Sequence, residues 1–171
     1  MGEIKLPNLR HLIIETGGMK SEVIFDIAKS NLPNLEHLEL WLGTSNYGCT
    51  VEVEDLNRIL NGDYPKLKYL GLKNFHQADE LAQILKGTAV LKKIETLDLS
   101  MGTLSDVGAY FLFQIEELLN LRHINLEFHY LSEAWQAKMR GKFEAQNINF
   151  CLLYTSPSPR DATLSRMPSS S

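Results

Sequence analysis

The chain has few of the features that mark a covalent framework or a membrane protein. Its 171 residues include two cysteines, Cys49 and Cys151, too few for a disulfide framework or a four-cysteine metal site. No apolar run approaches the roughly 18 residues that span a bilayer. The opening residues also lack the apolar core of a signal peptide. The sequence therefore predicts a cytoplasmic protein that does not bind a membrane.

Positive charge and catalytic motifs are also scarce. Lys and Arg number 17 against 21 Asp and Glu, and the formal net charge is -4. This balance argues against nucleic acid as a partner, because phosphate backbones are bound by clustered basic residues. The chain has no phosphate-binding loop, no dinucleotide-binding glycine motif and no nucleophile elbow. We therefore expect no cofactor and no enzymatic activity.

What the chain does contain is one leucine pattern repeated five times. Each copy has aliphatic residues at its first, fourth and sixth positions, and the copies start 26, 32, 27 and 27 residues apart. The first residues of the copies are Leu9, Leu35, Leu67, Ile94 and Leu121. This period is typical of a leucine-rich repeat, in which each unit contributes a strand and a helix. It predicts an α/β solenoid of about five to six repeats, with a parallel sheet on the concave face and helices on the convex face.

Helical spacing of apolar residues predicts a helix after each strand. The predicted helices are 21–29, 53–60, 78–85, 106–118 and 133–145. Ser21, Ser105 and Ser132 stand where N-caps belong. Ile148 and Phe150 fit the opening strand of a sixth unit.

The run from Leu97 to Ala109 resembles the ribonuclease-inhibitor-like class of leucine-rich repeat. That class carries asparagine at the sixth position of the pattern L-x-L-x-x-N, where the side chain forms hydrogen bonds to the backbone of the turns. This chain holds other residues there, namely Gly17, Gly43, Phe75, Gly102 and His129. The three glycines suggest that tight backbone geometry replaces the asparagine ladder.

Several longer runs are similar to an uncharacterised family of bacterial cytosolic leucine-rich-repeat proteins. The resemblance covers roughly residues 6–131. The runs that carry it are 14–18, 32–44, 46–48, 65–72, 78–81 and 97–104. The resemblance implies no catalytic residues. It does imply that relatives carry further repeats before the position of Met1 and a polar, acidic ending after that of Phe150.

Composition divides the chain after residue 150. Residues 1–150 are patterned throughout, and we expect them to form a leucine-rich-repeat domain with uncapped ends. Residues 151–171 hold three of the six prolines and six serines without a strand or helix period, which predicts disorder. The runs 151–161 and 165–170 resemble a translated sequencing-library adapter. The tail is therefore either adapter-derived or a natural Ser/Pro extension, and we favour the adapter.

Alternation along the predicted strands identifies the side chains on the concave face, because successive residues point to opposite sides of a sheet. Three columns result: His11, His37, Tyr69, Thr96, His123; then Ile13, Glu39, Gly71, Asp98, Asn125; then Glu15, Trp41, Lys73, Ser100, Glu127. Four acids against one lysine make this face acidic.

Trp41 is a large amphipathic side chain on this otherwise polar face, and aromatic anchors often dominate protein interfaces. We predict a site for an unidentified protein partner, centred on Trp41. Its residues are His37, Glu39, Trp41, Tyr69, Lys73, Asp98, Ser100, Asn125 and Glu127. The alternative is that Trp41 packs on its neighbours and binds nothing.

Other chemistry has weaker support. His11 and His37 lie near two glutamates, but a structural zinc site needs four fixed ligands, so ordinary solvent-facing histidines are expected. Cys49 has no local base beside it in the sequence, which favours a packing role. The sequence thus favours a non-catalytic interaction scaffold. Two alternatives stay open, an accessory repeat segment of a larger enzyme or ligase and a structural spacer.

Overall fold

A parallel sheet of six strands organises the computed structural model, which describes residues 5–152. The strands pair in chain order, each with the next. They are β1 (His11–Ile14), β2 (His37–Gly43), β3 (Tyr69–Phe75), β4 (Thr96–Asp98), β5 (His123–Asn125) and β6 (Asn149–Cys151). The α/β prediction is confirmed.

A helical return follows each of the first five strands. The α-helices are α1 (Ser21–Lys29), α2 (Asn57–Leu60), α3 (Ala78–Ile84), α4 (Asp106–Phe113) and α5 (Glu133–Glu144). Two predicted helices, α2 and α4, are several residues shorter than expected, and α3 and α5 each end one residue early. A 3-10 turn, Val53–Leu56, leads into α2, and another, Glu116–Asn120, follows α4. Within residues 5–152, no helix is long and apolar enough to cross a bilayer.

The repeated aliphatic residues form the core. Leu38, Leu70, Leu97 and Ile124 align across four strands and are at most 1% exposed. They belong to one continuous cluster with buried residues of the helices, such as Ile24. Burying one such side chain stabilises the fold by roughly 1.5–3 kcal/mol before entropy is subtracted. One sheet face is therefore covered, and the alternate residues of the strands occupy the other.

The sixth strand is present where Ile148 and Phe150 predict it. β6 pairs in parallel with β5, and Phe150 lies beside Ile124. The strand runs through Cys151, so the sheet extends one residue past the predicted domain boundary at residue 150. Residues 153–171, which hold most of the predicted tail, lie outside the described residues.

Two of the three predicted N-caps are confirmed. The Ser105 hydroxyl accepts a hydrogen bond from the backbone N–H of Val107, and the Ser132 hydroxyl accepts one from Trp135. The prediction for Ser21 is wrong, because Ser21 is the first helical residue of α1. Its own N–H is instead satisfied by the Thr50 hydroxyl at 3.0 Å.

Two of the five positions expected to carry asparagine, Gly43 and His129, show different substitutes for its hydrogen bonds. At Gly43 the backbone adopts φ +83°, and the neighbouring turn packs directly against it: the Thr44 N–H donates to the Gly17 carbonyl at 3.2 Å. A Cβ at Gly43 would meet Gly17 backbone atoms, so the prediction of tight backbone geometry is confirmed here.

His129 supplies side-chain bonds of the kind expected from the missing asparagine. Its Nδ1 accepts from the Leu104 N–H at 3.0 Å, and its Nε2 lies 2.7 Å from the Leu99 carbonyl, to which it donates. The ring is therefore neutral and protonated on Nε2. Burial lowers the pKa of His129, and the opposing effects of the Leu99 and Gly102 carbonyls and of Asp79 and Asp98 do not reverse this.

We expect the free energy of unfolding to decrease as the pH falls below about 6.5, the ordinary pKa of histidine. In the folded state the pKa of His129 is lower, so the unfolded chain binds the proton more readily. The stabilising contribution is complete above that pH and is lost as the pH falls through the folded pKa. Urea titrations at pH 7.5 and pH 5 measure the difference.

The matched variants are His129→Asn, which keeps a hydrogen-bonding side chain without titrating, and His11→Asn, at an exposed position. His129→Asn should reduce the pH dependence, whereas His11→Asn should retain it. An unchanged slope in His129→Asn would assign the pH dependence to other groups.

Candidate interaction face

The uncovered side of the sheet, here called the open face, carries the three predicted columns. Strand pairing aligns the first column from His11 to His123 and the second from Ile13 to Asn125. In the third column, Trp41 lies beside Lys73. The first two columns and the Trp41–Lys73 pair therefore lie in register, as strand alternation predicts.

Glu39 is the first of two carboxylates that organise the open face. Its Oε1 accepts a hydrogen bond from Trp41 Nε1 at 2.7 Å and lies 3.3 Å from Lys73 Nζ. Its Oε2 lies 3.3 Å from His37 Nε2. Burial raises the pKa of Glu39, but the hydrogen bond from Trp41 and the charge of Lys73 outweigh it and hold the pKa below its ordinary value.

Asp98 is the second organising carboxylate. Its Oδ2 accepts from the Tyr69 hydroxyl at 2.8 Å and from Asn125 Nδ2 at 3.3 Å, while its Oδ1 accepts from the Ser100 N–H at 2.9 Å. Burial and the adjacent Asp98 charge raise the pKa of Tyr69 well above its ordinary range. The Tyr69 hydroxyl therefore stays protonated and serves as a donor.

Lys73 connects the two carboxylates. Its Nζ lies 3.3 Å from Glu39 and 3.8 Å from Asp98, and it stands 4.7 Å from the centre of the Trp41 ring. The side chains of Lys73, Glu39 and Asp98 are only 15%, 12% and 7% exposed. Lys73 therefore offsets one of the two central negative charges, and both carboxylates are largely shielded from solvent.

Gly71 makes room for this arrangement. It lies between Glu39 and Asp98 in the second column. A Cβ at Gly71 would stand 3.0 Å from the Tyr69 ring and 3.2 Å from Glu39 Cγ. Tyr69 thus leans over the glycine toward Asp98, and its ring stacks on His37 with centroids 3.9 Å apart and planes 7° apart.

All nine predicted site residues belong to one connected network. The last member, Glu127, joins through its N–H, which donates to the Asn125 side chain at 3.0 Å. Their accessibility differs, however. Asp98 is 5% exposed and Ser100 is 3% exposed, so both offer almost no contact surface. The Asp98 carboxylate positions its neighbours, and Ser100 joins the network through its backbone N–H.

The most exposed groups of the open face lie on β1 and just after it. His11, Ile13 and Glu15 are exposed, with Ile13 at 51%. They were absent from the predicted site, although alternation places them in the three columns. Their place in the columns, next to Glu39 and Trp41, could have identified them as site residues from the sequence.

Metal binding and thiol chemistry gain no support from the geometry. The His11 and His37 rings are 5.6 Å apart between centroids, yet within residues 5–152 no group of three or more His, Cys, Asp or Glu is arranged to hold a metal. Cys49 is buried, and burial raises the pKa of its thiol. An activated cysteine requires the opposite shift.

A fixed loop adjoins the open face beyond the end of β2. The Met19 N–H donates to the Leu42 carbonyl, the Thr50 N–H donates to the Met19 carbonyl, and Lys20 Nζ donates to the Gly48 carbonyl at 2.7 Å. These bonds tie residues 43–51 to the preceding unit. The loop presents Tyr47, which is 79% exposed.

Comparison with known proteins gives one informative similarity. A Bacteroides fragilis protein, whose crystal structure was determined as a structural-genomics target, superposes with a TM-score of 0.76 at 30% sequence identity. The match covers 86% of this chain and 41% of that protein, so the chain spans less than half of its length. No family model and no curated protein matches the chain. The similarity supports the fold described above and indicates no activity.

Proposed function

We propose that this chain is part of a leucine-rich-repeat solenoid that acts as a non-catalytic scaffold and binds a cytoplasmic protein through its open face. The main support is the recurrence of one strand–helix unit with aligned strands, one side covered by helices and the other left open. Stacked units of this kind produce extended binding surfaces.

The internal bonding of the open face favours binding. Trp41, Glu39 and Lys73 hold one another in place, and Tyr69 is fixed by Asp98 and His37. Side chains that are already ordered lose little conformational entropy when a partner docks, so more of the interaction energy appears as affinity.

The accessible part of the contact surface is amphipathic. Ile13 and Trp41 offer apolar area, Glu15 and His11 border it with polar groups, and Tyr47 stands on the adjoining loop. A central aromatic group with a polar margin is the usual arrangement of a protein interface.

Replacing both Ile13 with lysine and Trp41 with alanine should abolish capture of the partner. The substitutions remove the apolar centre and add a positive charge. Tagged protein, lysate of the source cells and quantitative mass spectrometry give the measurement. The matched control is Tyr110→Ala, which removes an aromatic side chain that is 53% exposed on α4.

Thermal unfolding of each variant separates lost binding from lost folding. Equal capture by the folded Ile13→Lys, Trp41→Ala protein and the native chain would contradict a partner site on the open face. Loss of capture by Tyr110→Ala alone would move the site to the helical side.

The Bacteroides fragilis protein is longer than this chain, which is compatible with a second candidate, an accessory repeat segment of a larger enzyme or ligase. Sequencing the gene on both sides of the region that encodes these repeats tests it. A catalytic domain in the same reading frame would support this candidate, and flanking repeats alone would count against it.

A further inference from the structure

We propose that the partner presents an extended cationic segment that crosses the strands of the open face, with one basic side chain at Glu15 and a second at Glu127. The segment carries an apolar residue between them, over Trp41. This inference rests on the proposed function, and it specifies the chemistry of the partner.

The four carboxylates of the open face differ in how they are compensated. Glu39 and Asp98 are paired with Lys73 and accept hydrogen bonds. The carboxylates of Glu15 and Glu127 have no hydrogen bond or ion pair within residues 5–152. Glu15 is exposed and Glu127 is half-buried. The negative charge that a partner can reach therefore lies at two separate points, Glu15 and Glu127.

These two points lie in one row. Glu15 precedes Trp41 and Lys73 in the third column, and Glu127 ends it, with the Met101 N–H bonded to the Glu127 carbonyl at 2.9 Å. The row crosses four strand-to-strand intervals of ~4.8 Å, about 19 Å in total. An extended peptide advances ~3.3 Å per residue. Basic residues about six positions apart therefore match both carboxylates.

The middle of the row, at Trp41 and Lys73, is unfavourable for a third basic side chain of the partner. Lys73 Nζ already stands 4.7 Å from the centre of the Trp41 ring. Another ammonium or guanidinium would find the Trp41 ring already occupied by Lys73 and both central carboxylates shielded from it, at 12% and 7% exposure. An apolar side chain can pack on the accessible part of Trp41 and on Ile13, which is 51% exposed. The complementary pattern is basic, apolar, basic.

Selection from a phage-displayed library of random 12-residue peptides tests the pattern. Sequencing of clones bound at 50 mM NaCl should show pairs of Lys or Arg five to seven positions apart, with an apolar residue between them. A synthetic peptide of the enriched sequence should bind measurably better than its isomer with adjacent basic residues. Glu15→Gln and Glu127→Gln should each weaken its binding about threefold to fivefold, as expected for one accessible ion pair.

Glu54→Gln is the matched control, because Glu54 is exposed on the 3-10 turn before α2, away from the open face. It should leave the affinity unchanged. Selection of no clones, of acidic clones, or of clones indifferent to both open-face substitutions would overturn the proposal. If the Ile13→Lys, Trp41→Ala protein still loses its lysate partner in that case, the scaffold function stands and only the cationic partner is rejected.

Discussion

Replacing Gly43 with alanine should lower the free energy of unfolding by at least about 3 kcal/mol. The backbone at Gly43 has φ +83°, which costs an alanine about 1–2 kcal/mol. The added Cβ would also collide with the carbonyl of Gly17 and approach the Gly18 nitrogen. Both obstacles are backbone atoms, so relief requires separating the turns that follow β1 and β2.

Gly87 provides a control for the conformational part of this cost. It has a similar φ of +75°, but a Cβ there would meet nothing within 4 Å. Gly87→Ala should therefore cost only the backbone penalty of about 1–2 kcal/mol. Urea denaturation of the two variants separates the collision from the backbone penalty. Equal losses would show that the close approach of the two turns contributes nothing to stability.

Replacing Lys73 with methionine should cost about 3 kcal/mol at pH 7. The substitution keeps most of the apolar stem of the side chain but leaves Glu39 and Asp98 without their shared cation. Removing one member of a mostly buried ion pair leaves an uncompensated charge, which is more costly than the loss of an exposed pair. Chemical denaturation measures the difference.

Lys93→Met is the matched control. Lys93 lies 3.5 Å from Asp63, but these side chains are 39% and 91% exposed. Solvent screens such a pair, and its loss should cost well under about 1 kcal/mol. Adding Glu39→Gln to Lys73→Met should recover part of the loss, because it removes one of the stranded charges. A Lys73→Met protein as stable as Lys93→Met would mean that the central charges are not coupled.

The pH dependence offers an independent check on the same network. The pKa of Glu39 is lowered in the folded state, so its stabilising contribution is present above pH 4.5 and is lost as the pH falls through the folded pKa. The difference between the native chain and Lys73→Met should therefore be largest near neutral pH and should shrink in acid.

The leucine pattern predicted the placement of side chains well, because strand alternation follows from local backbone geometry. It located Trp41 beside Lys73, and Glu39 in the column that continues to Asp98. It could not predict that these groups would compensate one another. That outcome depends on how the Lys73 and Tyr69 side chains bend across the strands, which column membership does not specify.

The hydrogen bonds of the turns were likewise only partly predictable from the sequence. An absent asparagine indicated that the turn backbones needed another partner, and the glycine at position 43 was a sufficient signal for tight packing. Nothing local indicated that His129 would bond Leu99 and Leu104, which lie 30 and 25 residues earlier in the chain. Likewise, Ser21 resembled a cap, but a distant hydroxyl from Thr50 changed its role.

The chain-order pairing of the strands has a kinetic consequence. Each pair of neighbouring strands closes a loop of similar length, since corresponding residues of β1 to β6 are 26 to 32 positions apart. The entropy of loop closure depends only weakly on length in this range, so no single closure dominates the barrier. Folding can begin at whichever neighbouring pair forms first and extend outward in both directions, and unfolding can start at a terminal strand.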